Sequence, residues 1–136
     1  MRTLSRLHVL RRTTFSNAQI YRVRDFPQPI SISNNRVAWY EFEIDEFLLS
    51  RPRSIPDGLI YKDLEAPSGV RVFVEKKVCD YVSISRAQLN RMIRAAEFPS
   101  PIKLSVQKIG YLKHEVDYWL YLRPRAHWSP AVQTLH

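Results

Sequence analysis

The side chains best placed to do chemistry in this sequence are cations and amides at helical spacing. In Ser85–Arg94 (SRAQLNRMIR), Ala87, Asn90, Arg91 and Arg94 fall on one side of a helix, and Leu89, Met92 and Ile93 on the other. Guanidinium and amide groups donate to phosphate oxygens and base edges, and a small alanine permits close approach. Such a face is also what an ordinary solvated amphipathic helix shows, so the helix alone does not decide. Other chemistries find less support. Glu115 and Asp117 stand two apart and do not share a helical face; acids at a helix start answer to the dipole instead. His8, His114, His127 and His136 show no metal-ligand spacing with carboxylates. The single cysteine, Cys79, reads as a small core residue and makes neither an internal disulfide nor a metal cluster. No serine sits in a nucleophile motif, and three glycines leave no phosphate-binding loop. The expectation is a binding protein, not an enzyme, with no cofactor and no metal.

The elements that must position those side chains come twice. Ser85 is placed as an N-cap, Gln88 as its capping-box partner, and Ile84 with Leu89 as a hydrophobic staple. Ser16, Gln19 and the pair Phe15/Ile20 repeat that arrangement 69 residues earlier. Val70–Phe73 matches Met1–Leu4 at the same spacing. Past the second helix the spacing becomes 72, and Phe98-Pro99-Ser100-Pro101-Ile102 matches Phe26–Ile30, Glu115-Val116-Asp117 matches Glu43–Asp45, and Arg123-Pro124-Arg125 matches Arg51–Arg53. One small unit has been duplicated, with a single three-residue gap.

Within a unit the order is short strand, helix, tight turn, helix, Pro-x-Pro stop, two-stranded hairpin, helix. In the first unit these are expected at Met1–Leu4, Ser5–Arg12, Thr13–Phe15, Ser16 to near Asp25, Phe26–Pro29, Ile30–Ser33 with Arg36–Tyr40, and Glu41–Leu49. Asn34-Asn35 suits the hairpin turn, since asparagine tolerates positive φ. Trp39, Tyr111 and Trp119 alternate with aliphatics and read as core. The fold class is therefore α+β, with two tandem small domains: residues 1–53, a linker 54–69, residues 70–125, and an irregular tail 126–136 that carries Trp128. A helix-turn-helix followed by a hairpin is a winged helix-turn-helix, whose second helix can enter a major groove while a basic hairpin tip reaches phosphate or minor groove.

Composition narrows the partners. The 136-residue chain carries a net charge of +8 and a pI near 9.9, which favours a polyanion. The first block holds +4, the linker −2 and the second block +6. No apolar run approaches a membrane span of ~18 residues, and the basic start lacks the core of a signal peptide, so a cytoplasmic protein is expected.

Val78-Cys79, Ser83-Ile84-Ser85-Arg86, Arg91, Phe98-Pro99-Ser100-Pro101, Gly110-Tyr111-Leu112 and Glu115–Trp119 together resemble the AlpA-like group of phage-type regulators. They are also similar to the related excisionases, or recombination directionality factors, whose DNA-binding fold is MerR-like. The resemblance covers 70–125 well and 1–53 more loosely. It implies a bacterial, sequence-specific DNA-binding accessory factor of a mobile element, with double-stranded DNA as partner and an integrase or other phage protein as a further candidate. By matching position, Ser85, Arg86, Ala87, Asn90, Arg91 and Arg94 would face the groove, with Ser105, Gln107 and Lys108 on the wing. The first unit's counterparts are Ser16, Asn17, Ala18, Tyr21 and Arg22, with Asn34, Asn35 and Arg36 on its wing.

The chain departs from the family in having two units and no glycine in the turn before either second helix. The first unit lacks three residues after that helix, and Asp25 lies near the expected phosphate path. It is therefore expected to bind DNA weakly or to serve mainly in packing. The alternative function is a protein-binding adaptor that uses the winged fold on a phage or host packaging or recombination protein. Units of this size are near the lower limit for folding alone, so the copies either pack together or hang on the linker. A flexible linker of this length would average roughly 22 Å, against about 34 Å between half-sites one turn apart. Self-association is left open by the sequence.

Overall fold

The computed structural model describes residues 1–126, so the expectations for the tail, Trp128 included, lie almost entirely outside the described residues. Each block folds the same way. Strand β1 (Thr3–Leu4) leads into helix α1 (Arg6–Thr13) and helix α2 (Gln19–Arg22). The hairpin β2 (Ile30–Ser33) and β3 (Arg36–Tyr40) follows, then helix α3 (Glu41–Leu49). The second block gives β4 (Val72–Phe73), α4 (Glu75–Val82), α5 (Arg86–Arg94), β5 (Ile102–Ser105), β6 (Lys108–Leu112) and α6 (Lys113–Tyr121). The result is a mixed α+β molecule with two three-stranded antiparallel sheets, ordered β1-β3-β2 and β4-β6-β5.

The duplication reaches the level of register. Thr3 and Leu4 pair with Tyr40 and Trp39, and Val72 and Phe73 with Leu112 and Tyr111, the same pairs one repeat later. Both hairpins carry an irregularity at the same place, between Ser31 and Ser33 and between Lys103 and Ser105. The turn into each second helix needs a left-handed residue, and Thr14 (φ 66) and Ser83 (φ 60) supply it where glycine would be cheapest. Gly110 lies where a Cβ would come within 2.3 Å of Val72, so β4 can close on β6 only over a bare backbone.

The second helix of the first block is shorter than expected. It spans Gln19–Arg22, not Ser16 to Asp25. Ser16 still works as a cap: its hydroxyl accepts from Gln19 N–H at 3.3 Å, and Gln19 Oε1 accepts from Ser16 N–H at 2.8 Å. The chain then leaves the helix at Val23, and Asp25 takes a left-handed φ of 66 before Phe26 plugs the core. In the second block only one half of that box is present, with Ser85 Oγ accepting from Gln88 N–H at 3.1 Å, yet α5 runs for nine residues.

The two blocks do not hang on a flexible tether. Val70, Val72, Ile102, Leu104 and Leu112 join one buried cluster with Leu4, Val9, Phe15, Ile20, Trp39, Ile44, Phe47 and Leu48 of the first block. Residues after α3 run along the outer edge of β5: Lys103 N–H donates to Pro52 C=O at 2.8 Å, and Ser54 N–H to Pro101 C=O at 2.7 Å. Arg51 Nε donates to Lys103 C=O at 2.9 Å. Asp45 caps the end of the connector, accepting from Gly69 and Val70 N–H at 2.9 and 2.8 Å. Ile55, Leu59 and Tyr61 of the connector pack on the second core with Phe98, Val116 and Trp119. Of the two arrangements the sequence leaves open, this is the packed one, because the connector's apolar residues find a surface to cover.

Candidate nucleic-acid interface

Helix α5 divides as its sequence requires. Leu89 and Ile93 are buried, Met92 is half-buried, and Arg86, Ala87, Arg91 and Arg94 are exposed. Asn90 is half-buried at the edge of the exposed face. Arg86 is not a free cation, since its Nε meets the Glu75 carboxylate at the start of α4. Arg91 and Arg94 stand in the last turn of α5, where the dipole favours cations, and among the described residues no carboxylate is paired with either. Ser85 spends its hydroxyl on the cap.

The matching residues of the first block are laid out differently. Ser16, Asn17 and Ala18 are exposed but sit in the turn before α2, not on a helix. Tyr21 and Arg22 are exposed on α2, and the Tyr21 hydroxyl accepts from Arg6 Nη2 at 2.6 Å. That brings Arg6, which sequence matching did not single out, onto the same surface. Asn34, Asn35 and Arg36 are exposed at the first hairpin turn.

The second hairpin turn corrects an expectation. Gln107 and the fully exposed Val106 form its tip, and Ser105 is half-buried. Lys108, expected on the wing, turns inward. Its Nζ donates to Thr14 C=O at 2.5 Å and lies 5.7 Å from the centre of the Phe15 ring. Burial pushes its pKa down, as it does for an ammonium taken out of water. Lys108 holds the two blocks together and is not presented to a partner. Its position in the repeat gave no hint of this, because the carbonyl it meets belongs to the other block. The same contact sets the turn beside α2, and Gln19 and Arg22 face Ser105, Val106 and Gln107 across an open groove of about 550 Å³. So α2 and the second hairpin turn lie side by side.

Glu115 and Asp117 need more than the helix-start account. Glu115 is buried and receives both Nη atoms of Arg53, at 2.6 and 2.7 Å. Asp117 accepts from Tyr81 and Lys113, each at 2.6 Å; these bonds outweigh the effect of burial and hold its carboxyl below the usual range. Neither is positioned as an acid–base pair. Among the described residues no group of His, Cys, Asp or Glu is arranged to hold a metal ion. Cys79 is half-buried against the second core, and burial raises its thiol pKa. No described helix is long and apolar enough to cross a membrane.

The family model described as prophage CP4-57 regulatory protein (AlpA) matches residues 2–52 and 71–123. No curated protein and no solved structure gives a significant match. The two matched stretches end within a residue or two of the two structural repeats and together cover most of the chain. The chain therefore belongs to the AlpA family of phage regulatory proteins, and carries that unit twice in tandem.

Proposed function

We propose that the chain is a sequence-specific double-stranded-DNA-binding accessory factor of a mobile genetic element, acting as an AlpA-like transcriptional regulator or an excisionase. Each block then works as a MerR-like winged helix-turn-helix. The observation that carries this reading is the exposed face of α5, where Ala87, Arg91 and Arg94 stand clear of the core while Leu89 and Ile93 anchor the helix. Asn90 lies at the margin of that face and Arg86 reaches it once Glu75 releases it. In the first block, Arg22 and Tyr21 with the flanking Ser16–Ala18 turn give a smaller contact, sharing DNA with the Ser105–Gln107 turn beside it. The acidic Asp25 and the four-residue α2 make the first block the weaker reader.

The test is selection of binding sites from random duplex DNA with the full chain, at about 150 mM salt so that loose attraction is screened. A defined motif is the expected result. Arg91→Ala should cost about 1–3 kcal/mol and relax the motif at one base if Arg91 reads a guanine edge. Uniform weakening across sequences would assign Arg91 to phosphate. No enriched motif, with binding that fades steeply in salt, would overturn the reading in favour of a protein-binding adaptor.

A further inference from the structure

The interface that joins the two blocks is head to tail: two different faces of the repeated unit meet in it. The first block offers its α1–α3 side; the second offers the back of its sheet and the outer edge of β5. Among the described residues, the counterpart sheet and edge of the first block stay exposed. Ile32, at the position of the buried Leu104, is 56% exposed, and Met1, at the position of Val70, is 95% exposed. Among the described residues no backbone hydrogen bond reaches the outer edge of β2, while the same edge of β5 is covered by residues 51–54. At the other end, Arg123-Pro124-Arg125 repeats the Arg51-Pro52-Arg53 that covers β5, and lies exposed after α6.

Several polar ties have counterparts as well, though not that of Asp45, whose counterpart Asp117 is already held by Tyr81 and Lys113. Lys108 donates to the carbonyl of left-handed Thr14; Arg36 occupies its place on the open hairpin, and left-handed Ser83 occupies that of Thr14. Arg51 lies over Phe47 at 5.0 Å and Arg123 over the matching Trp119 at 4.3 Å. Arg53 grips Glu115; their counterparts are the exposed Arg125 and the half-buried Glu43. Glu43 lines an open groove of about 580 Å³ with Asp25, Glu46 and Arg51, and three carboxylates against one cation leave it net acidic for an arriving Arg125. The strand edge of β2 and the groove at Glu43 thus match the exposed segment that follows α6, and Ile32 with Met1 marks the exposed apolar face beside them.

We propose that a second copy of this chain docks there: residues 123–126 of one molecule lie along β2 of the next, Arg125 enters the groove at Glu43, and Arg36 reaches the Ser83 carbonyl. The contact is heterologous, so it does not close on itself and chains can add at both ends. Arg36 then serves the chain–chain contact, as Lys108 serves the contact between blocks, and no DNA is required.

Sedimentation velocity of the full chain across a wide dilution series tests this without nucleic acid. The wild type should grow past a dimer as concentration rises. Ile32→Glu, at an exposed position, should stay monomeric throughout. Arg125→Glu and Glu43→Arg should each weaken association about tenfold or more, and the double variant should recover it. A wild type that is monomeric at every concentration, an Ile32→Glu protein that assembles like the wild type, or a double variant no better than either single one would overturn the proposal. DNA selection is read separately, so failure here leaves the binding assignment standing.

Discussion

Arg53 and Glu115 show how much one buried pair can carry. Glu115 is almost wholly inside the protein, and its counter-charge, Arg53, comes from the far side of the block boundary. Removing the cation leaves a carboxylate stranded in low dielectric. Arg53→Met is expected to cost about 3–5 kcal/mol in denaturant unfolding, and a double Arg53→Met/Glu115→Leu variant to recover most of it. A loss below about 1 kcal/mol in the single variant would show that solvent already screens the pair. His114, next to it, has its Nδ1 buried with no partner among the described residues, and burial lowers its pKa from 6.5. Glu115 and Asp117 pull that pKa up and Arg53 pulls it down, but burial wins. A group that resists protonation in the fold contributes stability above its unfolded pKa, and that contribution drains away as pH falls below 6.5. His114→Gln should therefore flatten the loss of stability between neutral and mildly acidic pH. An unchanged slope would place the titration elsewhere.

At the scale of elements, the sequence specified a good deal. The limits of α3 and the burial of Trp39, Tyr111 and Trp119 follow from local pattern and were legible; the β2–β3 turn falls at Asn34-Asn35 too, but neither asparagine takes the positive φ expected of it. The exposed face of α5, the best-defined part of the candidate site, was legible as well. What was not legible depends on contacts between distant residues. Lys108 looks like any wing lysine until Thr14 is brought against it, and α2 looks like a copy of α5 until the three missing residues force the chain away at Val23. The absence of a glycine in the turn before α5 was legible, but its remedy was not: Ser83 simply bears the left-handed geometry. An L-residue there costs about 1–2 kcal/mol, while glycine adds roughly 0.5–1 kcal/mol of unfolded-chain entropy. Ser83→Gly should thus raise stability by about 0.5–1 kcal/mol, read as a higher denaturant midpoint at constant m-value. A lower midpoint would mean that the serine side chain contributes more than its backbone costs.

At the scale of the whole molecule, the shared core decides how the protein unfolds. Sequence left two options open, packed copies or copies on a string, because the apolar residues of either block could satisfy both. The structure places Val70, Val72, Ile102, Leu104 and Leu112 of the second block in the cluster of the first. Fully burying side chains of this size contributes about 1.5–3 kcal/mol each, so a separation that uncovers even part of them would cost several kcal/mol, a large share of the stability of a small domain. The full chain should therefore unfold in one transition, with the fluorescence of Trp39 in the first block and Trp119 in the second reporting the same midpoint when each is followed alone. A fragment of residues 70–126 should give no cooperative transition. Two separated midpoints, together with a well-dispersed amide spectrum from the fragment, would show that each block is stable by itself and that their contact adds little. The expected result bears directly on DNA selection: a half-motif cannot be sought with half the chain, and the reading heads must be silenced by substitution at Arg91 and Arg22 within the intact molecule.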